Sequence, residues 1–479
     1  MNTRWKLTCL ITVFVMTPAL MPAAAEVATA TLLAPAQLLD FADRVVNGNR
    51  SLLAAGHELE SSLADKNRAL AVFSPQFSYT ADSSKSANRS FNSVTGFEED
   101  YSTRRHGGAA ALVQKTPLGQ ISYEYSQSKT EYTSSQASYF RSLYLGWQTG
   151  LLRNDARVDA LDRRIAHATY SMSEAQTDSV LLDVLLDSLL SLFDRIVTAR
   201  NEALKKQNTS FYATLVEEAE VKLNTGIGSE LDLKQASMRL QQAETGNEEI
   251  ALALRDNDRS LASRLGSSDW NPEMASFPLE LVLQSIPENL SVEDLLETAY
   301  QNRPDWRVYE SQHNLQRTNV EKLRELSRPD ISARMRWGKQ GRSFEIDAAD
   351  EMPDKNWDVS VSYNFSFGPE AEKLNLASQR HKLKAFEERM NQKRDDIKIS
   401  VTQAFERFEF YRRNLVALKA SQKLSAEVLD GQRLNFQLGK VTLLDLTRYQ
   451  QEFDNASLAV VQGESRLITE WLRLLYETG

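Results

Sequence analysis

The nine residues "LGKVTLLDL", at positions 438–446, interrupt a long helix-forming segment of this chain. Glycine and the β-branched residues Val441 and Thr442 weaken helices, so their presence here indicates a break. The stretch "TGIGSELDL", at positions 225–233, carries glycine, aspartate and leucine at matching places 213 positions earlier. The two motifs therefore predict two equivalent turns, each of which joins a pair of long helices.

The placement of proline supports this division. Proline is absent between Pro117 and Pro272 and after Pro369, and both segments are rich in Ala, Leu, Gln, Glu, Lys and Arg. These residues lose least on entering a helix. We predict helices over residues 151–223, 230–265, 370–436 and 443–477. A helix of about 70 residues is about 100 Å long, so it must pack lengthwise against other helices, as in a coiled coil.

A narrow polar stripe runs along the first long helix. Asp183, Asp187 and Asp194 lie on it, between flanks of leucine and valine. Such a helix would be buried on both sides and wet along one line. Two interpretations are open: the stripe is a solvated outer face, or it is the wall of a water-filled duct with the three aspartates facing the lumen.

Between the helical segments the apolar period changes from 3.6 to 2. The stretch "WDVSVSYNFSF", at positions 357–367, alternates strictly, and residues 73–80 and 121–126 alternate in the same way. Each would form a strand with one apolar and one polar face, as in an outer-membrane barrel or a half-buried soluble sheet. We predict two strands in the second half, at 331–338 and 357–367. We predict two to four strands in the first half, where residues 106–128 could add a hairpin.

The chain is predicted to be an internal duplication, because residues 295–305 echo residues 38–49 and the two glycine motifs correspond. Its predicted parts are a signal peptide (1–25), a first repeat (26–270) and a second repeat (271–479). The first repeat has short helices at 36–70, strands at 71–148 and a long helical hairpin at 151–266 with its tip near 226. The second has helices at 291–327, strands at 330–367 and a long hairpin at 370–477 with its tip near 439.

The N-terminus predicts export. Arg4 and Lys6 precede an apolar run, and the small residues that follow offer a cleavage site after Ala25, although an N-terminal anchor is the alternative. The single cysteine, Cys9, lies at the start of the apolar run, whereas a lipid-attachment cysteine would follow it, so we do not expect a lipoprotein. No disulfide is predicted.

The composition points away from enzymes and nucleic-acid binders. The formal net charge is −9, which disfavours a nucleic-acid partner. The five histidines have no metal-ligand spacing, and the chain lacks nucleotide-binding and nucleophile motifs. We therefore predict no catalytic residues, no metal and no cofactor.

The predicted strands are too few for one chain to close a barrel. Known single-chain barrels have at least about eight strands, and an open sheet edge is not tolerated in lipid. The chain must therefore assemble with copies of itself. A trimer of four-stranded contributions would close a twelve-stranded barrel.

In the order and spacing of these features, the chain resembles the TolC-like outer-membrane efflux proteins. The resemblance rests on the signal peptide, the duplication, the two G-x5-D-[IVL] motifs and the strand-to-helix joins "GWQTGLLRNDARVDA" and "FSFGPEAEKLNLA". It implies a mainly α-helical homotrimer with a long α-helical barrel in the periplasm and a shared β-barrel in outer-membrane lipid. It also implies that the hairpin tips meet a periplasmic adaptor protein joined to an inner-membrane pump of the RND, ABC or MFS type.

The resemblance assigns the adaptor-docking tips to the glycine motifs. They comprise Gly226, Ile227, Gly228 and Ser229 in the first motif, and Gly439, Lys440, Thr442 and Leu443 in the second. Independently of the family, glycine is the usual left-handed residue at a helix end. Ser229 and Thr442 could then cap the helix that follows.

The channel entrance is expected beside the tips. Asp445 matches a family aspartate that constricts the entrance, and Asp232 matches the aspartate of the first tip. Arg448 stands where the best-known member has a second aspartate. Phe436 and Val441 stand where that member has a tyrosine and an arginine that bond to neighbouring helices. The closed state must therefore rest on other contacts, and Asp445 with Arg448, at i and i+3, is one candidate.

These features predict a passive exit channel for efflux of small compounds or type I secretion. The alternative is a non-conducting coiled-coil protein that spans the periplasm and has a structural or adhesive role. The alternating strands favour the channel, because a coiled-coil spacer does not need them.

Overall fold

The computed structural model describes most of the chain. The described residues are 36–92, 96–132, 136–153, 155–226, 228–266, 270–275, 279–284, 286–287, 289–364, 370–438 and 440–479. The predicted signal peptide, Ile227 and Gly439 lie outside these residues.

The first half of the chain runs from two short helices through four strands to two long helices. These elements are α1 (Ala36–Gly48), α2 (Arg50–Ala71), β1 (Gln76–Asn92), β2 (Phe97–Thr116), β3 (Gly119–Tyr132), β4 (Ser138–Gly150), α3 (Asp155–Asn224) and α4 (Glu230–Leu265).

The second half follows the same order with fewer strands. After a 3-10 turn at Pro272–Ala275 come α5 (Leu279–Gln284), α6 (Val292–Asn302), α7 (Pro304–Leu326), β5 (Asp330–Ser343), α8 (Ile346–Asp350), β6 (Asp354–Asn364), α9 (Glu370–Gln437) and α10 (Leu443–Thr478). The four long helices inferred from the absence of proline are α3, α4, α9 and α10.

The six strands form one antiparallel sheet in the order β1 to β6, so each strand pairs with its neighbour in sequence. The two halves meet where β4 pairs with β5, with Leu145 opposite Trp337. Residues 106–128 do form a hairpin, β2–β3, and the described part of the first half has four strands. The described residues therefore contain six strands, which is within the predicted range of four to six. The twelve-stranded trimer, which was predicted from four strands per chain, stays a prediction.

The turn between β2 and β3 depends on Gly119. Its φ is +124°, and a Cβ added there would lie 2.3 Å from the carbonyl oxygen of Gln148 on β4. Only glycine fits this backbone conformation and this close approach. With this turn, β2 and β3 pair with each other and with β1 and β4. The sequence left this hairpin uncertain, because apolar and polar residues do not alternate clearly around Gly107 and Gly108.

One face of the sheet is apolar and exposed across all six strands. Residues paired across antiparallel strands share a face, and the registers place these side chains together: Phe77, Tyr79, Leu112, Tyr123, Ile121, Leu145, Trp147, Trp337, Met335, Trp357 and Val359. The exposed fraction reaches 73% for Trp357 and 64% for Val361. The strict alternation predicted over residues 357–367 is confirmed as far as Asn364, and residues 365–367 lie outside the described residues.

The opposite face of the sheet is polar. Arg336 on β5 forms an ion pair with Asp358 on β6 at 2.8 Å, and the hydroxyls of Ser332 and Ser362 lie 2.7 Å apart. Four strand ends connect to helices, at Gln76, Gly150, Asp330 and Asn364. The registers bring these ends to one side of the sheet, which we call the helix end.

The chain divides into two compact units. One comprises the residues before Leu59 together with Glu174–Arg307 and Asn391–Gly479, and the other comprises Leu59–Ser173 and Val308–Met390. Each unit takes segments from both halves. The second unit contains the sheet.

The main apolar core of the first unit surrounds the leucine-rich part of α3. Leu189, Leu192 and Phe193 are buried there against α1, α4 and α10.

Among the described residues, no helix combines the length and the apolar character that crossing a membrane would require.

Candidate functional site

The first hairpin tip is a glycine turn closed by a helix cap. Gly226 has φ +74°, and its N–H donates to Leu223 O at 3.0 Å, while the N–H of Gly228 donates to Lys222 O at 2.8 Å. A Cβ on Gly228 would lie 2.9 Å from the backbone of Lys222. The hydroxyl of Ser229 accepts a hydrogen bond from Leu231 N at 3.1 Å. The predicted left-handed glycine and the predicted cap are both confirmed.

The second tip has a stronger cap. The Thr442 hydroxyl accepts from Asp445 N at 3.2 Å, and the Asp445 carboxylate accepts from Thr442 N at 3.2 Å. This reciprocal pair is a capping box, which satisfies two backbone donors at the start of α10. The Thr442 hydroxyl also donates to the same carboxylate at 2.6 Å. The side-chain bond from Thr442, followed by its backbone N–H, lowers the pKa of Asp445.

Arg448 does not pair with Asp445, contrary to the contact suggested from the sequence. Its Nε lies 3.3 Å from a carboxylate oxygen of Glu452, and its side chain is 78% exposed. The physical reason is that Asp445 is held by Thr442, toward the start of the helix, while Arg448 reaches one turn forward. At the first tip, Asp232 lies in the first turn of α4, and its N–H donates to Ser229 O at 3.1 Å.

The hairpin of α3 and α4 meets the hairpin of α9 and α10 in an apolar cluster next to the tips. We call it the tip cluster, and its buried members are Tyr212, Leu215, Ala219, Ala236, Leu429, Phe436, Leu443 and Leu446. Val441 packs against it. The structure therefore brings Phe436, Val441 and Leu443 together, whereas Asp445 and Arg448 remain on the exposed side of α10.

Two cation–π contacts join the same pair of hairpins. The Lys222 ammonium on α3 lies 3.8 Å from the ring centroid of Phe436 on α9, and Phe436 is only 8% exposed. The Arg433 guanidinium on α9 lies 5.2 Å from the ring centroid of Phe211 on α3. Both contacts use the quadrupole of an aromatic ring. The sequence comparison did not identify Lys222, because 214 positions separate it from Phe436.

A cavity of about 620 Å³ adjoins the tip cluster, and its wall combines apolar side chains with polar ones, among them Lys205, Arg239 and Arg433. Arg433 donates to Gln450 at 3.0 Å, and Gln450 donates to Asp454 at 2.8 Å. Burial raises the pKa of Asp454, although the bond from Gln450 opposes it. The cavity lies between the two hairpins, because its lining residues come from α3, α4, α9 and α10.

The aspartates of the predicted stripe are exposed, but each has a partner on another helix. The Tyr476 hydroxyl donates to Asp183 at 2.6 Å, Arg264 lies 3.6 Å from Asp187, and Asn257 donates to Asp194 at 3.1 Å. The pKa of Tyr476 is raised, first by its burial and then by Asp183. The three aspartates are exposed to solvent along one line of the helix, as predicted. Their position in a channel lumen stays a prediction.

A buried charge network, missed from the sequence, fixes the start of α7. Arg303 is 7% exposed and donates to both carboxylate oxygens of Asp305, at 2.9 and 2.8 Å, and to Glu477 at 2.6 Å. Lys393 approaches Asp305 to 2.8 Å. Burial alone would raise the pKa of Asp305, but the bonds from Arg303 and Lys393 lower it to about 2. The sequence signal was an arginine and an aspartate flanking the proline that begins α7.

A second buried charge links three long helices. Glu464 on α10 is 4% exposed, and it pairs with Arg200 on α3 at 2.8 Å and with Lys419 on α9 at 2.9 Å. A carboxylate buried this deeply is stable only with such partners.

Within the described parts of the chain, no group of three or more His, Cys, Asp or Glu side chains is arranged to hold a metal ion.

No protein-family model matches the sequence, and no curated protein matches it. Several solved structures are similar. The outer-membrane channel OprN is 16% identical, with a TM-score of 0.66 over 93% of this chain and 90% of that one. The Campylobacter jejuni CmeC outer membrane channel is 15% identical, with a TM-score of 0.66 over 92% and 85%. The open state of the Neisseria gonorrhoeae MtrE outer membrane channel is 17% identical, with a TM-score of 0.67 over 92% and 88%. At these identities the comparison shows a common fold.

Proposed function

Because the chain has the fold of the TolC-like outer-membrane channels, we propose that it forms a passive exit channel of the outer membrane. In this proposal a homotrimer crosses the membrane with its sheets and extends into the periplasm with its long helices. The helix tips dock on a periplasmic adaptor, which connects the channel to an inner-membrane pump. The channel serves efflux of small compounds or type I secretion, and the pump supplies the energy.

The apolar face of the sheet carries this proposal. Large side chains such as Trp337, Trp357 and Val361 are about half exposed or more, and they adjoin one another across six strands. An apolar surface of this extent marks a contact with lipid or with another protein. A structural or adhesive coiled-coil protein does not require an apolar sheet face. This face therefore favours the channel over that alternative.

The two edges of the sheet support self-assembly. Among the described strands, β1 pairs only with β2, and β6 pairs only with β5. In a membrane these edges need partners for their backbone N–H and C=O groups, and pairing β1 of one copy with β6 of the next supplies them. Three copies of six strands each would supply eighteen strands. The twelve-stranded prediction would hold only if two strands of every copy lay outside the wall.

The tips support docking and gating in the same proposal. Gly226, Gly228, Ser229 and Thr442 build compact, exposed turns. The tip cluster and its cation–π contacts join the two hairpins where the resemblance places the gate. We assign the closed state to these contacts, in place of the polar bonds of the best-known relative.

Cell fractionation with chemical crosslinking, followed by single-channel recording in planar bilayers, tests the proposal. We expect a crosslinked trimer in the outer-membrane fraction and stepwise ion conductance from the purified protein. A monomer in the soluble periplasm, or a trimer that conducts no ions, would overturn the exit channel.

Arg448 offers a test of the entrance. Its guanidinium is exposed in the same part of α10 as Asp445, so removing it should make the entrance more negative and raise the preference for cations over anions. We expect Arg448→Ala to shift the reversal potential in a salt gradient toward the cation equilibrium potential. The matched control is Arg259→Ala, which removes an exposed, ion-paired arginine from the C-terminal part of α4, away from the tip. If Arg448→Ala leaves conductance, selectivity and cell permeability unchanged, its gating role should be dropped.

A further inference from the structure

A basic cavity lies among α2, α3 and α7, in the unit that contains the sheet. Its volume is about 500 Å³, and four basic side chains line it: Lys66, Arg163, Arg164 and His167. None of the described residues that line it is an aspartate or a glutamate. A concave site with one sign of charge concentrates ligands of the opposite sign.

Two cations of this cavity, Lys66 and Arg163, contact aromatic rings. The Lys66 ammonium lies 4.4 Å from the ring centroid of Tyr170, and the Arg163 guanidinium lies 4.5 Å from the ring centroid of Phe73. An aromatic face orients a cation but does not neutralise its charge. The N–H donors of both side chains are therefore suited to an anionic oxygen ligand.

Arg163 points most directly to such a ligand. Its Nε is buried and finds no hydrogen-bond acceptor among the described residues. A buried donor without an acceptor is costly and rare, more so when it is charged. Arg164 differs, because it donates to Glu321 at 2.9 Å. Lys66 and Arg163, the two cations that contact aromatic rings, are therefore the side chains with N–H donors available to a ligand.

The rest of the cavity wall combines the polar residues Ser171, Ser311, Asn314 and Thr318 with an apolar part. Leu70, Ala160 and Ala168 line it beside the basic groups, and Leu70 is about half exposed. A small inorganic anion would leave this apolar surface uncovered. The combination fits a ligand that carries a phosphate next to hydrocarbon.

The position of the cavity along the helices fits the edge of a membrane. Lys66 lies five residues before the end of α2, and Arg163 lies eight residues after the start of α3, about 8 and 12 Å along the helix axes. Both helices lead into the helix end of the sheet. The headgroup layer adds about 5–7 Å beyond the hydrocarbon on each side of a bilayer, and a long basic side chain spans the remaining distance.

We propose that this cavity binds the phosphate of an anionic phospholipid in the leaflet at the helix end of the sheet. Lys66 and Arg163 hold the phosphate, and Leu70 contacts the start of the acyl chains. The proposal rests on the outer-membrane location proposed above. The bound lipid fixes the depth of the sheet in the membrane.

Lipid binding to the delipidated full-length protein in neutral detergent tests the proposal. Native mass spectrometry compares phosphatidylglycerol, phosphatidylcholine with the same acyl chains, and inorganic phosphate. We expect specific retention of phosphatidylglycerol. The double variant Lys66→Gln/Arg163→Gln should reduce it by at least about tenfold, because two charge-assisted hydrogen bonds are lost. Retention should also fall with added salt.

Two further variants keep the test decisive. Arg68→Gln, on the same helix but outside the cavity and paired with Asp65, should bind as the unsubstituted protein does. If the double variant does not fold, His167→Glu adds a negative charge at an exposed cavity position and should weaken phosphatidylglycerol binding alone.

Three outcomes would overturn the proposal. They are equal retention of phosphatidylcholine, equal affinity for inorganic phosphate, and an equal loss of phosphatidylglycerol binding in Arg68→Gln. Because binding is measured without conductance, a failed channel recording and a failed lipid site remain distinguishable.

Discussion

At the scale of single residues, Thr442 and Asp445 fix where α10 begins. We predict that Thr442→Ala removes the cap and lowers the free energy of local opening at the tip by about 1 kcal/mol. Amide hydrogen exchange of residues 443–446 measures it, with about fivefold faster exchange expected in the variant. Thr442→Ser keeps the hydroxyl and should exchange at nearly the original rate. Similar acceleration in both variants would mean that the methyl group, and not the cap, stabilises the turn.

Asp305 gives a second prediction at this scale, a pH dependence. Its folded pKa of about 2 lies below the unfolded value of about 3.9. Its contribution to stability is therefore complete above about pH 4 and disappears as the pH falls toward about 2. We expect Asp305→Asn to lower the free energy of unfolding by about 2 kcal/mol at pH 7 and by much less at pH 2.

Denaturant unfolding of the detergent-solubilised protein, followed by circular dichroism at both pH values, checks this prediction. The matched control is Asp256→Asn, which breaks an exposed pair with Arg259. Exposed pairs contribute about 0–1 kcal/mol, so its effect should be small at either pH. An equal loss of stability for Asp305→Asn at both pH values would contradict the role of its charge.

At the scale of elements, the sequence was informative wherever a local pattern decides the structure. The absence of proline and the glycines at 226 and 439 predicted α3, α4, α9 and α10, since helix breaks are local events. Strict alternation predicted β6 in the same way. The β2–β3 hairpin was uncertain because Gly107, Gly108 and the alanines after them have little apolar period. Its pairing with β1 and β4 comes from the whole sheet.

The contacts between elements were not predictable for the same physical reason. Ser229 and Thr442 act on their own helices, and their caps were foreseen. Lys222 with Phe436, and Arg303 with Glu477, join segments that are remote in sequence. Without a fold, nothing in the residues singles out these partners from many other lysines and glutamates. Asp445 shows the reverse case, because its spacing from Arg448 allowed an ion pair, but its carboxylate bonds to Thr442 and Arg448 contacts Glu452.

The contact between the two hairpins leads to a prediction at the element scale. Lys222→Met keeps the apolar stem but removes the charge over Phe436. A cation–π contact at a partly exposed site contributes about 1 kcal/mol, so we expect the open probability of the channel to rise about fivefold. Single-channel recording measures it, and Lys222→Arg, which keeps the cation, should behave as the unsubstituted protein does. An unchanged open probability in Lys222→Met would remove the cation–π contact from the gate.

At the scale of the whole molecule, the two faces of the sheet should respond differently to charge. Val361 lies on the apolar face, and Ser360 lies next to it on the polar face. A carboxylate that faces lipid costs about 1–2 kcal/mol for each chain. We therefore expect Val361→Asp to reduce the amount of trimer in the outer membrane, and Ser360→Asp to leave it nearly unchanged. Quantitative gels of outer-membrane fractions check this, and equal yields of the two variants would argue against lipid contact on that face.

The unequal caps of the two tips matter for the symmetry of any complex. The first tip relies on one bond from Ser229, whereas the second has the reciprocal pair of Thr442 and Asp445. A ring of three copies would present the two kinds of tip in alternation, so its six contact positions would fall into two inequivalent sets. A partner built as a perfect hexamer could match only one set at a time with identical contacts. Its subunits would have to adopt two conformations, or only half of them would bind tightly.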